Sequence, residues 1–447
     1  MRDAPGVRDE PEPSPAVTPG RPRLLTELLL AAALFLLADL AIAATQPLIA
    51  VNGGTGWDGS SYYSVAQQIT VGQRPVEEAP FVYRLGTPFL VAAIAPRDLF
   101  AGFVIVNAAA NALTAMVFFL WLRPFIPGLR IRLALLASFV LMWHGPIRFF
   151  HFYPVSAEHL TYAANMVGLA GAYALRDRIS LRLVGGLTLL AIAGAAIRET
   201  ALLAMAALPF VRNPLRIAWR IPTAPVVLFA PIAAGAIALV AVHGAATQTN
   251  DFGFARAVIV WLTEKSPLVY ALGWWIGYGP LLALPIIAWR RSLSFLAAHQ
   301  LLAAFLAACA VLGWVGGQDT ERYVFWAAPV VLVLVGRAIP ELLALGSRVF
   351  VALLITTQAV AERVFLAIPQ PLEFDPTTLD RDRQYDVLPL LGPVGGRVDY
   401  FDLWSFWMPR MAKVIVLGEY AVLFVLVAVA IRWRAARTRG SGSAPIP

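Results

Sequence analysis

The sequence predicts an all-α, polytopic transmembrane helical bundle, and three observations predict it. Hydrophobic residues make up 59% of the chain, charged residues only 14%, and mean hydropathy is +0.70. Soluble domains are about half apolar and about a quarter charged. Apolar runs near the length that crosses a bilayer recur along the chain. Arginines gather in short loops between those runs, as a positive-inside bias does. No long polar block exists to build a separate soluble domain.

The net charge of +8 and pI near 9.9 follow from those loop arginines. No aromatic platform or helix-turn-helix accompanies them, so no nucleic-acid partner is expected. Cys309 is the only cysteine and lies in an apolar run. It forms no internal disulfide and reads as a small buried hydrophobe.

Taken in order, residues 1–22 are rich in Pro, Asp, Glu and Arg and read as a disordered cytoplasmic tail. Residues 23–432 form the membrane domain. Its first apolar run, 24–44, exceeds the usual apolar core of a signal peptide and reads as a retained anchor. Glu27 and Asp39 lie inside that run. Asp39 either faces other helices as a functional acid or is solvated near a membrane end. Residues 45–98 form a first outer loop, ending in a short apolar stretch at 85–96. Further runs lie at 99–122, 133–143 (extending toward 150), 162–175, 183–197, 201–211, 221–242, 268–289, 293–315, 324–339, 349–368 and 412–431. The total is roughly twelve segments, the shorter ones being the weakest as spans. A long outer loop covers 369–410, and 433–447 is a basic cytoplasmic tail.

Alternation from a cytoplasmic N terminus sorts the loops by charge. One set holds Arg123, Arg130, Arg132, Arg176, Arg178, Arg182, Arg212, Arg216, Arg220, Arg290, Arg291, Arg337 and Arg348. The other holds Asp58, Glu158, Glu199, Glu264, Asp319 and Glu321, with Arg74, Arg97, Arg148 and Arg256 as exceptions. Both termini are thus expected inside, with the acids on the outer face. No repeat of 20–50 residues is visible, nor an inverted-repeat pairing of halves.

Asp58 stands in Gly56-Trp57-Asp58-Gly59 with Tyr62 and Tyr63 about one turn on. Such a carboxylate can take a proton from an attacking hydroxyl or hold a cation; it can equally close a loop turn. Arg84, after Tyr83, suits a phosphate at headgroup depth or an interfacial anchor. The second outer loop carries His144, His151, Glu158 and His159; the last two are usable ligands or the polar start of a helix. Arg198-Glu199 interrupts two apolar runs, as a structural ion pair or a functional one. Asp319, Glu321 and Arg322 precede a late helix; the acids can cap it, and Arg322 can hold a phosphate. The acids Glu373, Asp375, Asp380, Asp382, Asp386, Asp399 and Asp402 read as a solvated face, or an acceptor entrance. No nucleotide-binding Gly-rich loop and no G-x-S-x-G is present.

The motifs G-W-D-G-S-S-Y-Y, Y-R-L-G-T-P, Y-P-V-S-A-E-H-L, I-R-E-T-A-L-L and D-T-E-R-Y-V together resemble the GT-C class of integral-membrane glycosyltransferases, which use polyprenyl-phosphate sugars. The resemblance implies a many-spanning helical fold with an outer-face site. It implies Asp58 as catalytic base, Glu158 where many members carry a second acid, often Asp, and Arg322 as the residue meeting the donor phosphate. The substrate-binding set is then Arg84, Tyr62, Tyr63, Glu158, His159, Arg198, Glu199, Asp319, Glu321 and Arg322. A divalent cation (Mg or Mn) on Asp58 and Glu158 is compatible and not demanded. The expected donor is a polyprenyl-phosphate sugar, the acceptor a glycan, lipid or protein, and the location a bacterial plasma (inner) membrane. Two other readings stand beside this one. A transporter or flippase for a lipid-linked saccharide would use Asp39, Arg198 and Glu199 as its pathway. A noncatalytic envelope-assembly scaffold would need neither Asp58 nor Arg84.

Overall fold

The computed structural model of the chain describes residues 21–211, 226–344, 348–364, 366–371, 404–408 and scattered positions between 413 and 429. Both expected tails lie almost wholly outside them, as do most of the long loop at 369–410, with all its acids, and the arginines at 212, 216 and 220. The helices in order are α1 (Arg21–Thr45), α2 (Trp57–Thr70), α3 (Gly86–Ile94), α4 (Leu99–Leu122), α5 (Leu129–Leu141), α6 (Pro146–Phe152), α7 (Glu158–Ala174), α8 (Leu181–Ile197), α9 (Leu203–Ala207) and α10 (Ala230–Ala245). There follow α11 (Phe254–Glu264), α12 (Pro267–Tyr278), α13 (Ala283–Ile287), α14 (Trp289–Ala298), α15 (Gln300–Val315), α16 (Thr320–Phe325), α17 (Ala328–Ala344) and α18 (Arg348–Ala361). Two short strands, β1 (Val76–Glu77) and β2 (Thr247–Gln248), pair in parallel.

The fold is all-α, and among the described residues 5 helical stretches are long and apolar enough to cross a membrane: Leu24–Thr45, Leu99–Leu122, Leu129–Phe152, Val226–Ala245 and Pro267–Ile287. The bent pair α14 and α15 makes a sixth if it counts as one span. Of the other expected segments, 162–175, 183–197, 324–339 and 349–368 lie on helices of 17 residues or fewer, and 412–431 falls largely outside the described residues. The 9-residue α3 covers only about 14 Å, roughly half a bilayer core. The 201–211 run divides into α9 and flanking 3-10 turns.

The outer helices turn leucines and other apolar residues outward, with Leu29 61%, Leu37 69%, Ile237 72% and Val240 74% exposed. Surfaces of that kind are stable against lipid rather than water, and the chain is a membrane protein. The interior is aromatic and close-packed: Phe118, Phe119, Phe139 and Phe325 are all buried. Helix α10 lies against α8, where a Cβ at Gly235 would sit 3.4 Å from Ala191.

Both acids of α1 are paired. Glu27 takes Arg132 at 3.0 Å and Arg123 at 3.4 Å. Asp39, about 18 Å further along the helix, takes His151 at 2.7 Å. These pairs mark the two ends of the bundle. Helix α7 begins at Glu158 and carries Tyr173 in its last turn; Tyr173 meets Phe125, just past Arg123, at 5.0 Å between ring centroids. One end therefore gathers Arg123, Arg132, Arg176 and Arg337, and the other gathers Asp58, Glu158, Glu199 and Asp319.

At that second end the loop between α2 and α3 is strapped to the segment after α10. Val76 pairs with Thr247 and Glu77 with Gln248. The Asn250 side chain donates to the Ala79 carbonyl and accepts from the Ala79 N–H, each at 2.9 Å. Tyr83 stacks on His243 at 3.8 Å and donates to Gln248 at 2.8 Å.

Candidate active site

Asp58 lies in the first turn of α2, where its carboxylate suits the positive end of the helix. Two glycines bring this turn against the segment between α6 and α7. Gly56 has φ +71°, and a Cβ there would meet the Tyr153 ring at 2.1 Å. A Cβ on Gly59 would meet the Val155 carbonyl at 2.5 Å. In the space so left, the Gly59 N–H donates to the Tyr153 hydroxyl at 2.6 Å. Burial, and then the Asp58 charge, push that phenol well above the usual range, so it stays protonated. Asn107 fixes the same loop from α4, donating to the carbonyls of Pro154 at 2.7 Å and Ser156 at 2.9 Å.

Facing Asp58 is Arg322 of α16, with Nη2 3.7 Å from Oδ2. The same guanidinium contacts the carboxylate of Asp319, one turn earlier. The turn before α16 is held by Lys265, whose Nζ donates to the carbonyls of Gly313 at 2.8 Å and Gly317 at 2.6 Å.

A second set of charges adjoins the first. Arg84 holds Glu199 through two nitrogens, Nη2 to Oε1 at 2.8 Å and Nε to Oε2 at 3.3 Å, and donates to the Tyr62 hydroxyl at 2.9 Å. Burial raises the Glu199 carboxyl, but Arg84 and Arg198 outweigh it and hold the group low, at about 2. Arg198 contacts Glu158 and lies 3.9 Å from Glu199. Its guanidinium rests 5.2 Å over the Trp326 ring and 5.9 Å over the Tyr323 ring. Tyr323 adjoins Arg322 in sequence, which joins the two sets. Three guanidiniums thus face four carboxylates: Arg84, Arg198 and Arg322 against Asp58, Glu158, Glu199 and Asp319.

Eight of the residues read from the sequence therefore meet in one cluster: Asp58, Tyr62, Arg84, Glu158, Arg198, Glu199, Asp319 and Arg322. Three do not join its ion pairs. Tyr63 packs at the edge of the apolar group of Val91, Leu99 and Phe103. His159 is buried, with Nδ1 3.3 Å from Asn111 Oδ1 and its ring 5.5 Å from that of Phe150. Glu321 does not cap α16 toward solvent. It turns inward and accepts from the Ser405 N–H at 2.7 Å, and burial pushes its carboxyl up to about 7. The residues that sequence reasoning passed over are Tyr153, Lys265, Trp326 and Ser405. Only Tyr153 carried a signal, as the first residue of the Y-P-V-S-A-E-H-L motif.

The carboxylates of Asp58 and Glu158 each face their own guanidinium, and among the described residues no three His, Cys, Asp or Glu side chains stand together as ligands. This donor set does not fit a divalent cation, and no step below runs through one. No protein-family model matches the chain, and no curated protein is significantly similar to it in sequence.

Proposed function

We propose that the chain is a membrane glycosyltransferase of the GT-C type, moving a sugar from a polyprenyl-phosphate donor to an acceptor hydroxyl. The observation that carries this reading is the pairing of Asp58 with Arg322, an acid and a guanidinium from opposite parts of the chain at one end of a lipid-exposed bundle. A base for the acceptor and a cation for the leaving phosphate are the two groups such a transfer needs.

In the donor-free state Arg322 serves Asp58 and Asp319. A donor phosphate competes for Arg322 with its oxygens, a better bidentate match than a carboxylate at 3.7 Å. Its arrival releases Asp58 to accept the proton of the acceptor hydroxyl. The hydroxyl oxygen forms the new bond to the anomeric carbon as the bond from that carbon to the phosphate oxygen breaks. The electron pair leaves with the polyprenyl phosphate, whose charge Arg322 balances. Tyr153 sets the position of Asp58 through Gly59. Glu158 and Glu199 hold Arg198 and Arg84 in fixed orientations beside the phosphate.

The same reading puts this end of the bundle outside the cytoplasm, both termini inside, and the shorter apolar helices with the long ones in roughly twelve membrane segments of a bacterial inner membrane. Nucleotide sugars are cytoplasmic, so a transferase facing away from them needs a donor carried by the lipid. A flippase pathway through Asp39, Arg198 and Glu199 has less support, because Asp39 is paired with His151 and the other two with Glu158 and Arg84.

The test is transfer of labelled sugar from a panel of polyprenyl-phosphate sugars by the purified full chain and its Asp58→Asn variant. Loss of at least 100-fold in rate with unchanged thermal unfolding is expected. Near-wild-type transfer by folded Asp58→Asn protein would overturn the assignment. Movement of the lipid across proteoliposomes without bond formation would favour the flippase.

A further inference from the structure

The opposite end of the bundle carries a second, carboxylate-poor cluster. Four rings from three parts of the chain form a box: Phe125, Tyr173, Phe295 and His299, with centroids 4.2–6.0 Å apart. His299 sits at the 113° bend between α14 and α15. Its Nδ1 lies 2.9 Å from the Phe295 carbonyl. A carbonyl can only accept, so Nδ1 carries the proton and Nε2 is left with its lone pair. Arg176 donates to that Nε2 at 3.1 Å and to the Tyr173 hydroxyl at 2.9 Å. Arg337 lies 4.5 Å over the face of Phe295.

Both guanidiniums are therefore held in place by neutral partners. Among the described residues, neither has a carboxylate within ion-pair reach. This differs from Arg123 and Arg132 at the same end, which share Glu27. Asp177, next to Arg176, is exposed. Arg176 and Arg337 are exposed as well, so an anion can reach them. Helix α14 runs into the bend from Trp289, with Trp289 and Leu293 each 55% exposed and with Arg290 5.5 Å over the Trp289 ring. That mixture suits the boundary between acyl chains and headgroups.

We propose that Arg176 and Arg337, held over this aromatic box, bind the headgroup phosphate of an anionic phospholipid in the leaflet on the arginine-rich side of the bundle. Two fixed forks match phosphate oxygens, and basic recesses between membrane helices take such headgroups. A lipid is favoured over free phosphate because α14, which leads into the bend, exposes Trp289 and Leu293 along its length, a surface along which an acyl chain can run.

The experiment uses the purified full chain and reads retained lipid by native mass spectrometry. The probes are phosphatidylglycerol, phosphatidylcholine and inorganic phosphate. The variants are Arg176→Gln, Arg337→Gln and, as a control at the same end, Arg130→Gln. Phosphatidylglycerol is expected to bind at least tenfold more tightly than phosphatidylcholine. Each of the first two substitutions is expected to weaken it at least fivefold, and Arg130→Gln not to do so. In wild-type protein the preference is expected to shrink as salt is raised, a readout that needs no variant to fold. Equal affinity for the two lipids, equal retention by all variants, or inorganic phosphate binding with no lipid preference would each overturn the proposal.

Discussion

Arg84 grips Glu199 through two nitrogens while its third reaches the Tyr62 hydroxyl. The guanidinium is buried and the carboxylate is one-third exposed. Removing either partner leaves the other without its two-point contact, with only Tyr62 beside Arg84 or Arg198 at 3.9 Å from Glu199. Arg84→Gln or Glu199→Gln should destabilise the chain by about 1–3 kcal/mol, measured by thermal unfolding in detergent. Arg84→Lys should not rescue it, because an ammonium cannot reproduce the fork. The double substitution should cost less than the sum of the two single ones.

The turn that carries Asp58 depends on two glycines and one phenol. Gly56→Ala introduces a side chain at φ +71° and into the Tyr153 ring, and should cost about 1–3 kcal/mol. Tyr153→Phe leaves the Gly59 N–H without its 2.6 Å acceptor, again about 1–3 kcal/mol. Under the glycosyltransferase reading, Tyr153→Phe also lowers kcat more than it raises KM, since it moves the base rather than a binding group. A change confined to KM would count against a positioning role.

Stability should depend on pH through Glu321. Burial raises its carboxyl to about 7 from an ordinary 4.5. Below about 4.5 the folded and unfolded chains both hold the proton, and the contribution is fully present. Between those values only the folded chain keeps it, so stability falls as pH rises, by on the order of 3 kcal/mol in total, and levels off above about 7. Glu321→Gln should flatten the unfolding profile between pH 4.5 and 7. A variant that tracks the wild-type curve throughout would remove Glu321 as the source.

The strap between the loop before α3 and the segment after α10 hangs on Asn250. Asn250→Ala deletes both hydrogen bonds to Ala79 and should expose the stretch from Gly72 to Pro80 to limited proteolysis. The expected sign is cleavage there at protease levels that leave the wild type intact, with the membrane helices uncut.

Much of this was legible before any fold was known. Composition and run length were enough for a helical membrane chain, because a bilayer leaves few ways to satisfy backbone polar groups. Asp58 and Arg84 stood out as polar groups in a Gly-rich loop between apolar runs. Their partners did not. Arg198 and Glu199 adjoin in sequence, but each reaches mainly across to another element, Glu158 and Arg84 respectively, because Arg198 is extended and Glu199 opens the 3-10 turn that follows. Glu321 looked like a capping acid, and its inward turn depends on Ser405 from a distant loop. The number of spans was hard to read for a different reason. A buried helix and a spanning helix are equally apolar, so short runs such as α3 carry no mark of which they are.

The distance in the chain between Asp58 and Arg322 also has a meaning for biosynthesis. Translation delivers the carboxylate early and the opposing guanidinium only after most of the helices have been inserted. A nascent chain halted before α16 holds an acid with nothing opposite it and a loop with no floor. Premature termination anywhere ahead of Arg322 therefore yields a polypeptide that can embed in the bilayer yet never assembles the pair, and restoring it would require the missing C-terminal fragment to be supplied in trans.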